Sequence, residues 1–292
     1  MILGTSLSSF KGLTLFEAMD FYLKISKKLN LNAVEILFEK SSERPSLWYW
    51  EAKNSELRGF LENFKTKGAH LPFLSINPFS PNPRIREESI KQLKESMQKA
   101  AELEIDYTVM HVQKTSDKSG LISFIEEFSD FAKELSILLT IENADFLSNL
   151  ALLVDMVRKV NSKWLKITFD VGHAHIRKVA PLQTYPIKDL LLRTLDIFLP
   201  LNLIKKNMPY EAYGSIQKFV KSNFDLIGVI HLHDYNGKRD HLPIGDGKIN
   251  FSFMDVIKEL FKGPYIFEAE FMDHEKDLIR NYKALKSLIE AD

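Results

Sequence analysis

One pattern constrains the fold of this chain more than any other, and it repeats along the whole length. A short apolar run rich in β-branched and aromatic residues is followed by a turn, then by a stretch with apolar residues at helical spacing. Strands separated by helices pair in parallel, because a parallel neighbour needs a crossover, and helices over both faces bury the strands completely. The runs that read as strands are Ile2–Ser6, Ala33–Phe38, Ala69–Leu74, Tyr107–His111, Leu138–Glu142, Leu165–Asp170, Gly228–His233 and Tyr265–Glu270. Helical spacing covers Leu15–Leu29, Ser55–Thr66, Glu87–Leu103, Leu121–Leu135, Leu147–Val160, Phe251–Phe261 and His274–Glu290, with Pro83 as a helix-start signal. No Gly/Ser linker divides the chain, so residues 1–292 read as one α/β domain, a closed (β/α)8 TIM barrel. An open doubly wound sheet is the second choice.

The sixth connection, from Gly172 to Ile227, is roughly 55 residues long, more than one helix and its loops require. Its region Leu182–Ser222 is punctuated by Tyr185-Pro186, Met208-Pro209-Tyr210 and Tyr213-Gly214. It is read either as a cover over a substrate or as a structural embellishment.

Composition narrows the chemistry. Cysteine is absent, which removes thiolate nucleophiles, disulfides and sulfur-ligated metals, so any metal must take oxygen and imidazole ligands. The 39 basic and 39 acidic residues cancel, which argues against a nucleic-acid surface without excluding a local basic groove. The first residues show no basic segment before an apolar run, and the most apolar stretch, Leu190–Ile204, is interrupted by Arg193, Asp196 and Pro200. The expectation is a cytoplasmic protein with no membrane span. There is no Gly-x-Ser-x-Gly elbow and no His-Glu-x-x-His helix, and Gly245-Asp246-Gly247-Lys248 lacks P-loop spacing.

The informative residues share a position. His70, His111, His173, His231, His233 and His241 fall within or just after the strand runs, as do Glu142, Asp170 and Glu268. In a barrel the C-terminal strand ends converge on one mouth, so these residues would meet there. Any one strand histidine is more often a hydrogen-bonded structural residue than a ligand. Packing alone would scatter such residues over both strand ends, however, and buried acids need a compensating partner. The joint pattern points to a divalent cation.

These motifs together resemble the xylose isomerase-like barrel superfamily, which contains sugar and sugar-phosphate isomerases and epimerases as well as endonuclease IV. The resemblance runs from Gly68-Ala69-His70-Leu71-Pro72 through Glu142-Asn143, Asp170-Val171-Gly172-His173-Ala174, His231-Leu232-His233-Asp234 and Leu242-Pro243-Ile244-Gly245-Asp246-Gly247 to Glu268-Ala269-Glu270. It implies that Glu142, Asp170, His231 and Glu268 hold a shared metal, which the donor set would allow to be Mn²⁺, Mg²⁺, Co²⁺ or Zn²⁺. No other cofactor is implied. His231 and His233 share strand parity, and the spacing to Asp234 favours His231 as the ligand. His233 would face substrate, support the ligands from behind, or pack.

The activity this implies is isomerisation or epimerisation of a small sugar or sugar phosphate through a metal-stabilised enediolate. Glu142 and Glu268 would exchange the proton, with His173 on a substrate oxygen. Substrate-facing roles are expected for His70, His111, His233 and Arg239. The alternative is an endonuclease IV-like, zinc-dependent abasic-site DNA endonuclease, because His70, His111, His173 and His241 resemble that enzyme's additional zinc ligands. Under that reading alone is nucleic acid a partner. Arg239 departs from it, standing where the nuclease pattern has an Asp. A cation there would repel a third zinc yet could hold a phosphate or carboxylate. Asp240, adjacent to His241, would point to the opposite side if both lay on a strand, although a loop relaxes that limit. Ala33–Phe38 looks more like the sugar-enzyme pattern, and Trp48-Tyr49-Trp50 could form an apolar wall. A third possibility is a non-catalytic ligand-binding barrel, in which the acids would be dispensable. Oligomeric state is left open by the sequence.

Overall fold

The apolar runs form strands that close on one another in sequence order. The computed structural model describes residues 1–52, 55–74, 76–113, 115, 117–144, 150–179 and 216–290. The strands are β1 (Ile2–Ser6), β2 (Ala33–Leu37), β3 (Thr66–His70), β4 (Tyr107–Met110), β5 (Leu138–Glu142), β6 (Leu165–Asp170), β7 (Ile227–Leu232) and β8 (Pro264–Phe267). Each pairs in parallel with its neighbours, and β8 returns to β1 to complete an eight-stranded barrel. Outside them lie α1 (Leu15–Leu29), α2 (Ser55–Leu61), α3 (Pro83–Glu102), α4 (Lys118–Leu135), α5 (Leu150–Val160), α6 (Val171–Val179), α7 (Ile216–Asn223), α8 (Met254–Leu260) and α9 (His274–Glu290). No helix among the described residues is long and apolar enough to cross a membrane.

Local chemistry sets the helix ends. Thr14 and Glu17 form a reciprocal capping box at the start of α1, and Asn30 ends that helix in the left-handed region at φ 55°. The Asn82 side chain caps α3 with Pro83 in its first turn, and Asp117 caps α4. Between its ends α1 buries Ala18, Met19, Tyr22 and Ile25, at the spacing of one helical face.

Several boundaries depart from the sequence expectation. The third strand starts at Thr66 and ends at His70, where Ala69–Leu74 was expected, and α2 ends at Leu61 where the pattern extended to Thr66. Thr66 and Lys67 form the half-buried bottom end of a barrel strand, and polar residues there mimic the continuation of a helix. At β8, Glu268 and Glu270 lie beyond the strand, which ends at Phe267. Phe251–Phe253 is a 3-10 turn leading into α8. The long connection after β6 spans residues 171–226, and most of the Leu182–Ser222 region, with its Tyr-Pro and Tyr-Gly punctuation, lies outside the described residues, as do Leu147 and the Leu190–Ile204 stretch.

The main core lies between strands and helices, and a second, smaller cluster of Ala33, Tyr107, Val109, Val229 and Ile266 fills the barrel lumen. Register carries this inward parity around the barrel: Glu35 lies beside Gly68, Gly68 beside Tyr107, Glu142 beside Thr168, and Asp170 beside His231. Alternate residues on each strand point inward, so the next inward level above the apolar plug is polar.

Candidate metal centre

At the C-terminal strand ends the inward positions bring the acids and imidazoles together. Among the described residues, three groups have one donor atom each within 4.8 Å of the others: Glu142, Asp170, His231 and Glu268; His70, His111 and Glu142; and His173, His233, Asp240 and His241. All ten residues named at the sequence level except Arg239 therefore fall in this one region. Arg239 stands on the rim, its side chain 64% exposed and its guanidinium 3.7 Å from Glu270.

Each donor is aimed by its element. Glu142 and Asp170 end β5 and β6, and Asn143 ties those ends together by accepting the Asp170 amide N–H (2.6 Å) and donating to its carbonyl (2.9 Å). Asp170 Oδ1 also accepts the His173 amide N–H at 2.6 Å, capping the first turn of α6. His233 Nε2 lies 2.9 Å from both Asp170 oxygens, while its Nδ1 faces Asp240 Oδ1 at 3.1 Å. On the other side, His70 Nδ1 meets the Leu71 carbonyl at 3.0 Å, which leaves His70 Nε2 pointing at His111 Nε2 (3.2 Å) and Glu142 Oε2 (3.4 Å). His111 Nε2 is 3.0 Å from the same Glu142 oxygen.

Asp240 and His241 both turn inward although they are adjacent. His241 sits at φ 53°, in the left-handed region, so the alternation of an extended strand does not apply. The two thereby complete a group with His173 and His233, and the His233 and His241 rings stack 4.2 Å apart.

The donor set fits a divalent cation on two grounds. Carboxylates and imidazoles without sulfur suit Mn²⁺, Mg²⁺, Co²⁺ or Zn²⁺. Moreover, His231 Nδ1 lies 2.7 Å from Glu268 Oε2, and His173 Nδ1 lies 2.8 Å from Glu142 Oε1, yet none of these four buried atoms makes a hydrogen bond. Close imidazole and carboxylate atoms whose geometry misses a hydrogen bond are turned as ligands of a common cation would be.

Electrostatics agree. Burial raises the Glu142 carboxyl, but the imidazoles of His111, His173 and His70 outweigh it and hold the group well below the usual carboxylate range. Glu268 is lowered despite burial, mainly by His231. His231 and His233 rise well above their ordinary value, because burial is outweighed by Glu35 and Glu268 for the first and by Asp170 and Asp240 for the second. His173 is raised to about 9 by Asp170 and Glu142 against the effect of burial. His241, by contrast, is pushed down to about 4 by burial and the neighbouring His233. Without a cation, protonated imidazoles balance the buried acids; a cation would take over that role.

A cavity of about 740 Å³ opens over the centre, and its wall includes Glu142, Glu268, His70, His111, His173, Asp240 and His241 together with Glu39, Arg44 and Phe73. That volume suits a small molecule. Asp170, His231 and His233 sit behind this wall, fully buried.

A sequence model of the family described as the xylose isomerase-like TIM barrel matches residues 23–288. The chain belongs to that family. It is similar to the uncharacterized protein MJ1311 of Methanocaldococcus jannaschii, 26% identical over 243 residues that cover 76% of this chain and 69% of the relative. Among solved structures it resembles a D-tagatose 3-epimerase-like protein, with a TM-score of 0.71, 23% identity and coverage of 99% of this chain and 97% of the other. It also resembles the 3-keto-D-glucoside 4-epimerase YcjR of E. coli, with a TM-score of 0.66, 13% identity and coverage of 98% and 99%. These structural likenesses are likenesses of fold.

This xylose isomerase-like barrel also uses residues that the sequence reading passed over. Glu35, fully buried on β2, accepts from Tyr107 Oη and meets His231 Nε2, each at 3.1 Å. An acid within the otherwise apolar run Ala33-Val34-Glu35-Ile36-Leu37 was the available signal. Glu39 Oε2 accepts the Phe73 and Leu74 amide N–H groups at 2.6 and 2.7 Å and so fixes the loop that follows β3. Gly172 matters through close approach, since a Cβ there would lie 1.8 Å from His233 Cε1. Gly172→Ala is expected to push His233 off Asp170 and cost about 1–3 kcal/mol of stability. An unchanged thermal midpoint together with unchanged metal content would contradict this.

Proposed function

We propose that this chain is a divalent-metal-dependent isomerase or epimerase acting on a small sugar or sugar phosphate. The observation that carries the reading is that Glu142 and Glu268 both line the cavity and belong to one four-residue group with Asp170 and His231. A divalent cation held by that group would supply Lewis acidity to adjacent oxygens of a ketose or aldose. The low positions of the Glu142 and Glu268 carboxyls keep both ionised at neutral pH, the state in which a carboxylate can accept a proton. One carboxylate would remove the proton from the carbon beside the carbonyl, and the other, after taking up a proton from solvent, would give it to the opposite face, inverting that carbon, while the first releases its proton to solvent. Return by the same carboxylate to the neighbouring carbon moves the carbonyl instead. His173 lines the cavity and would hydrogen-bond a substrate oxygen. Two structural relatives are named as an epimerase or as epimerase-like, which supports the reaction class.

A second reading, phosphodiester hydrolysis by a polynuclear zinc site, is favoured by the two further groups, His70–His111–Glu142 and His173–His233–Asp240–His241. Substrate panels and metal content separate the two. Metal-loaded protein in deuterated solvent is expected to exchange a carbon-bound proton of at least one ketose or ketose phosphate and to leave abasic-site DNA intact. Elemental analysis of protein prepared without added metal is expected to give about one tightly held ion per chain, against two or three zinc ions for the hydrolytic alternative. Efficient DNA incision without proton exchange would replace the first reading by the second.

A further inference from the structure

We infer that Glu35, backed by Tyr107, is the positioning residue that selects which nitrogen of His231 faces the metal centre. The inference rests on the reading of Glu142, Asp170, His231 and Glu268 as ligands, and it concerns residues one level deeper in the barrel. An imidazole can present either nitrogen to a cation, and the partner of the other nitrogen decides which. Glu35 Oε2 lies 3.1 Å from His231 Nε2. In the metal-loaded state, Nε2–H donating to Glu35 would leave the lone pair on His231 Nδ1, and that atom is the one 2.7 Å from Glu268 Oε2 and 3.7 Å from Glu142 Oε2 with no hydrogen bond of its own.

The lumen is built around this contact. Tyr107 rises from the apolar plug and donates to the same Glu35 oxygen at 3.1 Å, so the carboxylate is held from below and from the side. Gly68, in register with both Glu35 and Tyr107, gives the ring its space, since a Cβ at Gly68 would lie 2.2 Å from Tyr107 Cζ and 2.4 Å from its oxygen. Neither Glu35 nor Tyr107 lines the cavity. A carboxylate in a sealed lumen is expensive, and an apolar side chain of similar size would fill the space without that cost. What an apolar residue cannot do is hold the His231 Nε2–H.

The test is zinc titration calorimetry on metal-stripped, full-length wild type, Glu35→Gln and Glu35→Leu, with the thermal midpoint of each stripped protein measured in chelator. Gln keeps an acceptor oxygen but not the charge; Leu keeps only bulk. Zinc binding is expected to weaken about tenfold in the Gln variant and about 100-fold in the Leu variant, out of proportion to any change in the stripped midpoints. In the zinc-loaded wild type, imidazole ¹⁵N spectra are expected to show Nε2 of His231 protonated and Nδ1 ligated, and the Nε2–H signal is expected to be lost in the Leu variant. Should the Leu variant fail to fold, the Gln variant decides. Zinc affinity within about threefold of wild type in the Gln variant would overturn the inference while leaving the metal reading intact. A wild type that takes up no zinc, manganese or cobalt would overturn both.

Discussion

Glu142→Gln is expected to lower turnover by about 10³-fold or more while the barrel stays folded. General acid–base groups contribute about 10²–10⁴-fold, and this side chain is also a candidate ligand, so both contributions are lost together. The substitution is nearly isosteric, yet Glu142 has His70, His111 and His173 within 3.4, 3.0 and 2.8 Å and His231 within 3.7 Å. A neutral amide cannot balance those rings, and its NH2 would point a donor into a cluster of donors. The measurement is kcat on whichever ketose shows proton exchange, with circular dichroism to establish that the fold persists. Turnover within about tenfold of wild type would remove the paired-carboxylate scheme. Glu268→Gln is expected to behave similarly.

The second large effect concerns stability. Asp234 follows β7 and is almost completely buried, and its carboxylate accepts four backbone N–H groups: Tyr235 (2.7 Å) and Ile249 (3.0 Å) on Oδ1, Gly245 and Gly247 (both 3.0 Å) on Oδ2. The loop carrying Arg239, Asp240 and His241 is folded around that one side chain, and Gly247 is required because a Cβ there would lie 2.1 Å from Asp234 Oδ1. Asp234→Ala leaves four amide donors without their acceptor. At about 1–3 kcal/mol for each donor that stays buried, and with water reaching some of them, the loss is expected to be about 3–5 kcal/mol. Urea denaturation monitored in the presence of chelator reads this directly, and a midpoint unchanged from wild type would show that the loop is held by something else.

Most of this architecture was legible because it follows from periodicity. Eight apolar runs alternating with amphipathic stretches can be buried only by a parallel sheet inside helices, and the strand-end positions of Glu142, Asp170 and His231 place them at one mouth. Less legible were features that depend on where a neighbouring strand stands. The role of Glu35 requires knowing that β2 faces β7 across the lumen, which no local pattern reveals. The inward turn of both Asp240 and His241 depends on a left-handed residue that is not glycine, so the opposite-sides limit of a strand does not apply there. Arg239, which by its place in the loop could have reached into the site, is drawn to the rim beside Glu270. The third strand begins earlier than its apolar run because its lower end, Thr66 and Lys67, is polar, and hydrophobic spacing is silent where a barrel opens to solvent.

The way the donors are divided among strands has an evolutionary consequence. The central four come from β5 to β8 and their ends, whereas His70 and His111 belong to β3 and to the residue after β4. One half of the barrel could therefore be kept unchanged while the other is rewritten. Losing two imidazoles from the β3–β4 side would strip one flank without disturbing the remainder, and gaining them would add it. A descendant could move between chemistries in small steps, each intermediate still carrying an intact central cluster.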